Sequence, residues 1–116
     1  MKTSELKDVA LDWAVAKCEY PSLVWGETIG LHNSSHQIVI PEMTVPDCYY
    51  HPSTEWAQGG PIIEREKISL EWTGENWMAY IKHDEEYFGP TPLIAAMRCY
   101  VASKLGDEIE VPEELK

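Results

Sequence analysis

The residues best equipped for chemistry crowd into one stretch, Cys48-Tyr49-Tyr50-His51-Pro52-Ser53-Thr54-Glu55-Trp56. A hydroxyl or thiol beside a histidine and a carboxylate is the material of nucleophilic catalysis, with Ser53 or Cys48 attacking, His51 as base and Glu55 orienting it. Such constellations are assembled by geometry across a fold, and sequence neighbours rarely supply that geometry. Ser53 reads more simply as a helix cap. His32 and His36 are spaced as metal ligands on a helix would be, but Asn33-Ser34-Ser35 between them favours a turn and no HExxH pattern is present. Adding Asp47, Cys48 and His51 matches no zinc spacing. Glu64, Arg65 and Glu66 read as a solvated helix face. The sequence thus commits to no reaction, metal or cofactor.

Binding suits these residues better than catalysis. Tyr49, Tyr50 and Trp56 have faces on which a base can stack, and helix starts at Ser53-Thr54 and Thr91 offer unpaired backbone N–H groups. A nucleotide-like ligand is therefore one reading, although Gly59-Gly60 leads into neither GxGxxG nor GxxxxGK, and Arg65 or Arg98 would have to hold the phosphates. The other reading is a protein partner. Five Trp and six Tyr exceed what the core of a 116-residue chain must hold, leaving aromatics for a surface patch. The candidate ligand- or partner-binding residues are Tyr49, Tyr50, His51, Ser53, Thr54, Trp56, Gly59, Gly60 and Arg65. A basic pocket would favour the nucleotide; a flat apolar patch rimmed by carboxylates would favour the protein.

These residues need elements to position them. Leu6, Val9, Ala10, Trp13, Ala14 and Lys17 form the comb of a helix over residues 4–18, capped by Thr3 or Ser4 and stopped before Pro21. Four prolines between residues 20 and 52 leave room for short strands only. A helix over residues 54–66 is expected to kink or break at Gly59-Gly60-Pro61, with Trp56, Gly60, Ile63 and Lys67 sharing one face, which either packs on the sheet or carries Trp56 to a binding surface. Residues 68–72 and 77–81 alternate around Thr73-Gly74-Glu75-Asn76 as a hairpin, and His83 to Gly89 reads as an acidic loop. Thr91-Pro92 opens a helix that runs to residue 105 and ends at Gly106, the most apolar element and one that also suits a homodimer interface. The sum is a single α+β sandwich domain over residues 1–106, a small, mostly antiparallel sheet with helices on it in alpha-beta-alpha layers, followed by an acidic tail over residues 107–116 expected to be a solvated end.

Composition removes other classes. A net charge of −11 with no Lys/Arg cluster disfavours direct binding to DNA or RNA. Cys18, Cys48 and Cys99 are odd in number and widely spaced, which suits reduced thiols rather than a disulfide framework. No signal-like h-region opens the chain, and no apolar run approaches the ~18 residues that read as a membrane span.

Three segments, ELKDVALDWAVAKCE, YHPSTEWAQGGPIIERE and YFGPTPLIAAMRCYVASKLGDEIEVPEEL, together a little over half the chain, resemble the NinX-like proteins of tailed bacteriophages and their prophages. The resemblance implies a phage or prophage origin, the bacterial host cytoplasm as place of action, and the alpha-beta-alpha layering of related phage ABA-sandwich domains. It carries no reaction and no catalytic residue. With the residues above, it points to an accessory protein that binds a host or phage protein, for example to blunt a host defence, with sequestration of a nucleotide-like molecule as the alternative.

Overall fold

The computed structural model of the chain describes residues 1–22, 24–26, 30–31, 38–39, 49–82 and 85–115. Among them are helices α1 (Asp8–Glu19), α2 (Trp56–Glu66) and α3 (Pro92–Leu105) and strands β1 (Gly30–Leu31), β2 (Ile38–Val39), β3 (Tyr49–Tyr50), β4 (Ser69–Trp72), β5 (Trp77–Tyr80) and β6 (Glu86–Gly89). The strands form two antiparallel sheets, in the orders β1-β2-β3 and β4-β5-β6. The α+β class is as the sequence implies.

Helix α3 forms where expected and for the expected reasons. The Thr91 hydroxyl accepts the Ile94 N–H at 3.1 Å, Pro92 opens the helix where no N–H is needed, and Gly106, at φ 88°, closes it. Leu93, Ala95, Ala96, Met97, Cys99, Tyr100 and Val101 are all buried. The β4–β6 sheet packs on α3, as do α1 and α2. In that sheet Leu70 pairs with Ala79 and Trp72 with Trp77, the register that the alternation predicts. Thr73 fixes the turn by donating to the Asn76 carbonyl at 2.9 Å and accepting the Asn76 N–H at 3.1 Å, while Gly74 takes φ 99°.

Four expectations change. The run before Pro90 is not only a loop: residues 86–89 are the strand β6, with Tyr87 and Gly89 turned toward α3 and Phe88 outward in the open. The first helix starts at Asp8 rather than residue 4, because the Thr3 hydroxyl donates to the Gly106 carbonyl at 2.6 Å instead of capping, and Asp8 itself sits at φ 51°. Residues 3–5 make a separate 3-10 turn. Helix α2 runs unbroken through Pro61. The N–H that Pro61 lacks would have met the carbonyl of Ala57, and both residues lie on the exposed side of the helix. Its cap is Glu55, whose carboxylate accepts the Ala57 N–H at 3.1 Å, and its buried face carries Gly59 and Ile62 rather than Trp56. Finally, residues 107–115 are not a solvated end. Thr3 N–H donates to Asp107 O, Met1 and Ile109 exchange main-chain hydrogen bonds, and Val111 and Leu115 are buried.

Both glycines of α2 sit one residue apart in the chain and in opposite environments. A Cβ on Gly59 would lie 2.4 Å from the Pro52 carbonyl oxygen, whereas on Gly60 it would meet only the Trp56 ring at 3.7 Å. Gly59→Ala should therefore destabilise by ~1–3 kcal/mol, and Gly60→Ala should stabilise by up to ~1 kcal/mol through helix propensity. Urea denaturation of the two variants checks the contrast; equal effects would contradict the packing. Leu115→Ala should cost ~2–5 kcal/mol as a core truncation, and an unchanged midpoint would return residues 107–115 to solvent.

Candidate functional site

Helices α2 and α3 begin side by side, and between their first turns opens a cavity of about 210 Å³ lined by Ser53, Thr54, Trp56, Thr91, Pro92, Leu93 and Ile94. The segment leading into α2 is pinned by its own polar groups. His51 donates its N–H to Gln58 Oε1 at 2.6 Å, Gln58 Nε2 donates to the Tyr49 carbonyl at 2.9 Å, and His51 Nδ1 lies 3.2 Å from Thr54 Oγ1. The His51 carbonyl accepts the N–H groups of Thr54 and Glu55. This is a tight turn held at both ends, so Ser53 and Thr54 are fixed in place by the chain itself.

Beneath the cavity lies a carboxylate with no motif around it. Asp12, 6% exposed on the inner face of α1, accepts the Ser53 N–H at 2.9 Å. Burial raises its carboxyl from the ordinary value near 3.8 to about 6, against the opposing pull of the Ser53 hydroxyl, the Ser53 N–H and nearby His51, with Asp8 adding to the rise. The Ser53 hydroxyl is 2% exposed and lies close enough to this carboxylate to favour its charged form, yet makes no hydrogen bond of good geometry among the described residues. The His51 ring faces Thr54 instead, so Ser53, His51 and Glu55 do not assemble as nucleophile, base and orienting acid.

Aromatic residues flank the N-terminal end of α3 on two sides, Trp56 at the cavity and Trp77 with Trp72 on the sheet, and are called the aromatic band below. Trp56 is 53% exposed at its rim. Ile94, also on the rim, presses its Cγ2 to within 2.9 Å of where a Cβ on Gly89 would stand; Gly89 pairs with Trp77, and Trp77 with Trp72. The Trp72 and Trp77 rings are 5.6 Å apart and tilted by 57°, and Trp72 is 57% exposed.

A family model described as bacteriophage P22, NinX matches residues 2–104. The chain belongs to the NinX family. It is thereby a phage-associated protein. No curated protein matches it. The NinX match takes in Asp12, the cavity and the whole aromatic band. No helix among the described residues is long and apolar enough to cross a membrane.

Of the nine residues singled out from the sequence of this NinX-family chain, Ser53, Thr54 and Trp56 line the cavity, and His51 buttresses the turn behind it. Tyr50 is buried, in a T-shaped contact with Tyr20 at 6.0 Å, so it offers no open face on which a base could stack. Tyr49 supplies its carbonyl to Gln58, Gly59 is packed against Pro52 and Leu93, and Gly60 lies under the Trp56 ring. Arg65 is elsewhere, in a two-point pair with Glu19 at 3.0 and 2.7 Å and bonded to Glu66 at 2.8 Å. His32, His36, Asp47 and Cys48 lie outside the described residues. Asp12, Trp72 and Trp77 stand beside these residues without belonging to any sequence motif. The signal for Asp12 was a lone carboxylate in the otherwise apolar run from Ala10 to Ala16, all seven of which are buried.

A buried carboxyl whose value in the folded chain exceeds that in the unfolded one binds its proton more tightly when folded. Its contribution is therefore best below pH 4, declines as pH rises from 4 to 6, and is flat above. Asp12→Asn keeps an oxygen for the Ser53 N–H and never charges. It should raise stability at pH 7.5 by up to about 3 kcal/mol and change little at pH 4. Thermal melts at the two pH values check this, and a variant less stable than the wild type at pH 7.5 would show that the charge itself supports the turn.

Proposed function

We propose that this phage-associated protein acts by binding another protein, of the host or of the phage, through the aromatic band that runs from Trp56 to Trp72, and not by catalysis. The observation that carries the reading is the exposure of Trp56 at the cavity and of Trp72 against Trp77, two aromatic sites joined through Ile94 and Gly89. Tryptophans in a half-open row beside a cavity are the usual anchors of a protein interface, where each buries a large area at small entropic cost. Counter-defence by such binding, in the cytoplasm of the infected cell, is the role this reading implies.

The nucleotide alternative draws less support from the same residues. Among the described residues the cavity is lined by hydroxyls and apolar groups and by no cation. Arg65 is committed to Glu19 and Glu66, and Arg98 donates to the carbonyls of Leu6 and Phe88, both at 2.7 Å. A phosphate would therefore enter a strongly acidic protein without a partner of opposite charge.

Trp56→Ala with Trp72→Ala should lower stability by less than about 1 kcal/mol per site, the scale of surface substitutions, rather than the ~3–5 kcal/mol that burial of Trp56 would bring. Affinity capture from phage-infected cells with the tagged wild-type chain should retain a defined protein that the double variant loses while its melting temperature stays close to wild type. Retention by both would refute the band as the binding surface. A small molecule carried through native mass spectrometry would favour sequestration instead.

A further inference from the structure

The alternation that turns Leu70, Trp72, Trp77, Ala79, Tyr87 and Gly89 toward α3 turns a second set outward. Across the three strands these form two rows, Glu71-Met78-Phe88 and Ser69-Tyr80-Glu86. Phe88 is 43% exposed, Ser69, Glu71 and Glu86 are exposed, and Met78 and Tyr80 are half-buried between them. The Tyr80 hydroxyl donates to Glu71 Oε1 at 3.1 Å and so orients that carboxylate across the face. An apolar centre with polar neighbours is how interfaces are built, and here the charged members of the two rows, Glu71 and Glu86, are both acidic.

The carboxylates occupy opposite corners. Strands lie ~4.8 Å apart and rise ~3.3 Å per residue, so Glu71 and Glu86, two strands and two residues removed, are separated by roughly 12 Å along the diagonal. An α-helix covers ~12 Å in eight residues, so Lys or Arg two turns apart reach both corners while the apolar residues between them, at i+3 and i+4, meet the centre. We propose that this face docks a basic amphipathic helix of a partner protein, with its apolar stripe on Met78, Tyr80 and Phe88 and its cations on Glu71 and Glu86. The surface rests on the protein-binding reading above and goes beyond it, because strand alternation puts it on the side of the sheet away from the aromatic band.

The test uses the full chain, labelled with ¹⁵N, and a synthetic Leu/Lys helical peptide of roughly five turns with Lys two turns apart. A peptide of the same composition scrambled to destroy the stripe is the control. Amide shifts should centre on residues 69–72, 77–80 and 86–89. Glu71→Lys with Glu86→Lys should weaken binding at least about tenfold, as should Phe88→Ala, and the charge-reversed variant should regain binding to a Leu/Glu peptide of the same pattern. All these substitutions are at exposed positions, and melting temperatures confirm that the variants fold. Shifts centred on residues 107–115, or equal affinity for the scrambled peptide, would overturn the proposal. A protein captured from infected cells that Glu71→Lys with Glu86→Lys still retains and Trp56→Ala with Trp72→Ala loses would also overturn it, while leaving the protein-binding reading intact.

Discussion

Among the described residues, the way α2 and the β4–β6 sheet pack depends on the first turn of α3. Leu93, Ile94 and Ala95 are squeezed from two directions by backbone. On one side Gly59 of α2 comes so close that a Cβ would sit 2.6 Å from Leu93 Cδ2, and on the other Gly89 of β6 would put one 2.7 Å from the Ala95 nitrogen. Two glycines thus let a helix and a strand close on the same turn. The consequences reach outward. Because α2 and β6 are both held against α3, their neighbours Trp56 and Trp77 are brought to the same end of the fold, and the gap left between the helix starts is the Ser53–Ile94 cavity. The packing constraint and the candidate site are one feature seen from inside and outside.

The opposite ends of the helices are tied by charge. Glu19 ends α1, Arg65 and Glu66 end α2, and Tyr100 and Lys104 lie on α3; Arg65 bonds both acids, Lys104 reaches Glu66 at 3.3 Å, and the Tyr100 hydroxyl donates to Glu19. Burial alone would raise the Glu19 carboxyl, and the hydrogen bonds from Arg65 and Tyr100 outweigh it and hold it below its ordinary value. Arg65 is half exposed, so this network adds less stability than its number of bonds suggests. Its clearer effect is positional, since a two-point guanidinium–carboxylate pair accepts only a narrow range of helix orientations.

Local signals were readable wherever one residue type has one reason to be present. Thr91, Pro92 and Gly106 bracket α3, and Thr73-Gly74-Glu75-Asn76 sets the β4–β5 register. What was unreadable depended on close approach. The phase of α2 is hard to read because its burial is set by Gly59, a residue with no side chain to signal it. Strand β6 was lost for a related reason: four residues ending in glycine carry too short an alternation, and Gly89 is needed because α3 leaves no room for more. The start of α1 and the docking of residues 107–115 share a single cause. The Thr3 side chain, which looked like a cap, bonds Gly106, a partner 103 residues away. At the site, Ser53, Thr54 and Trp56 were legible as loop chemistry, while Asp12 was hidden on a helix whose apolar comb had already explained its neighbours.

The way charge is spent decides what such a surface can recognise. The chain has two arginines, and both are used internally, Arg65 to join helix ends and Arg98 to satisfy the carbonyls of Leu6 and Phe88. Arginine is the side chain best suited to grip phosphate or carboxylate in two places, so with both arginines committed to partners within the chain the remaining surface charge is lysines and a large excess of carboxylates. Acidic groups alone select for cationic partners but fix no orientation, because long-range attraction is not directional and salt screens it. Orientation has to come from shape and apolar contact. The sheet supplies both by simple alternation, sending Trp72 and Trp77 to the edge beside α3 and Met78 and Phe88 to the opposite face, so that one small β-hairpin with its third strand presents two different apolar surfaces on an acidic body.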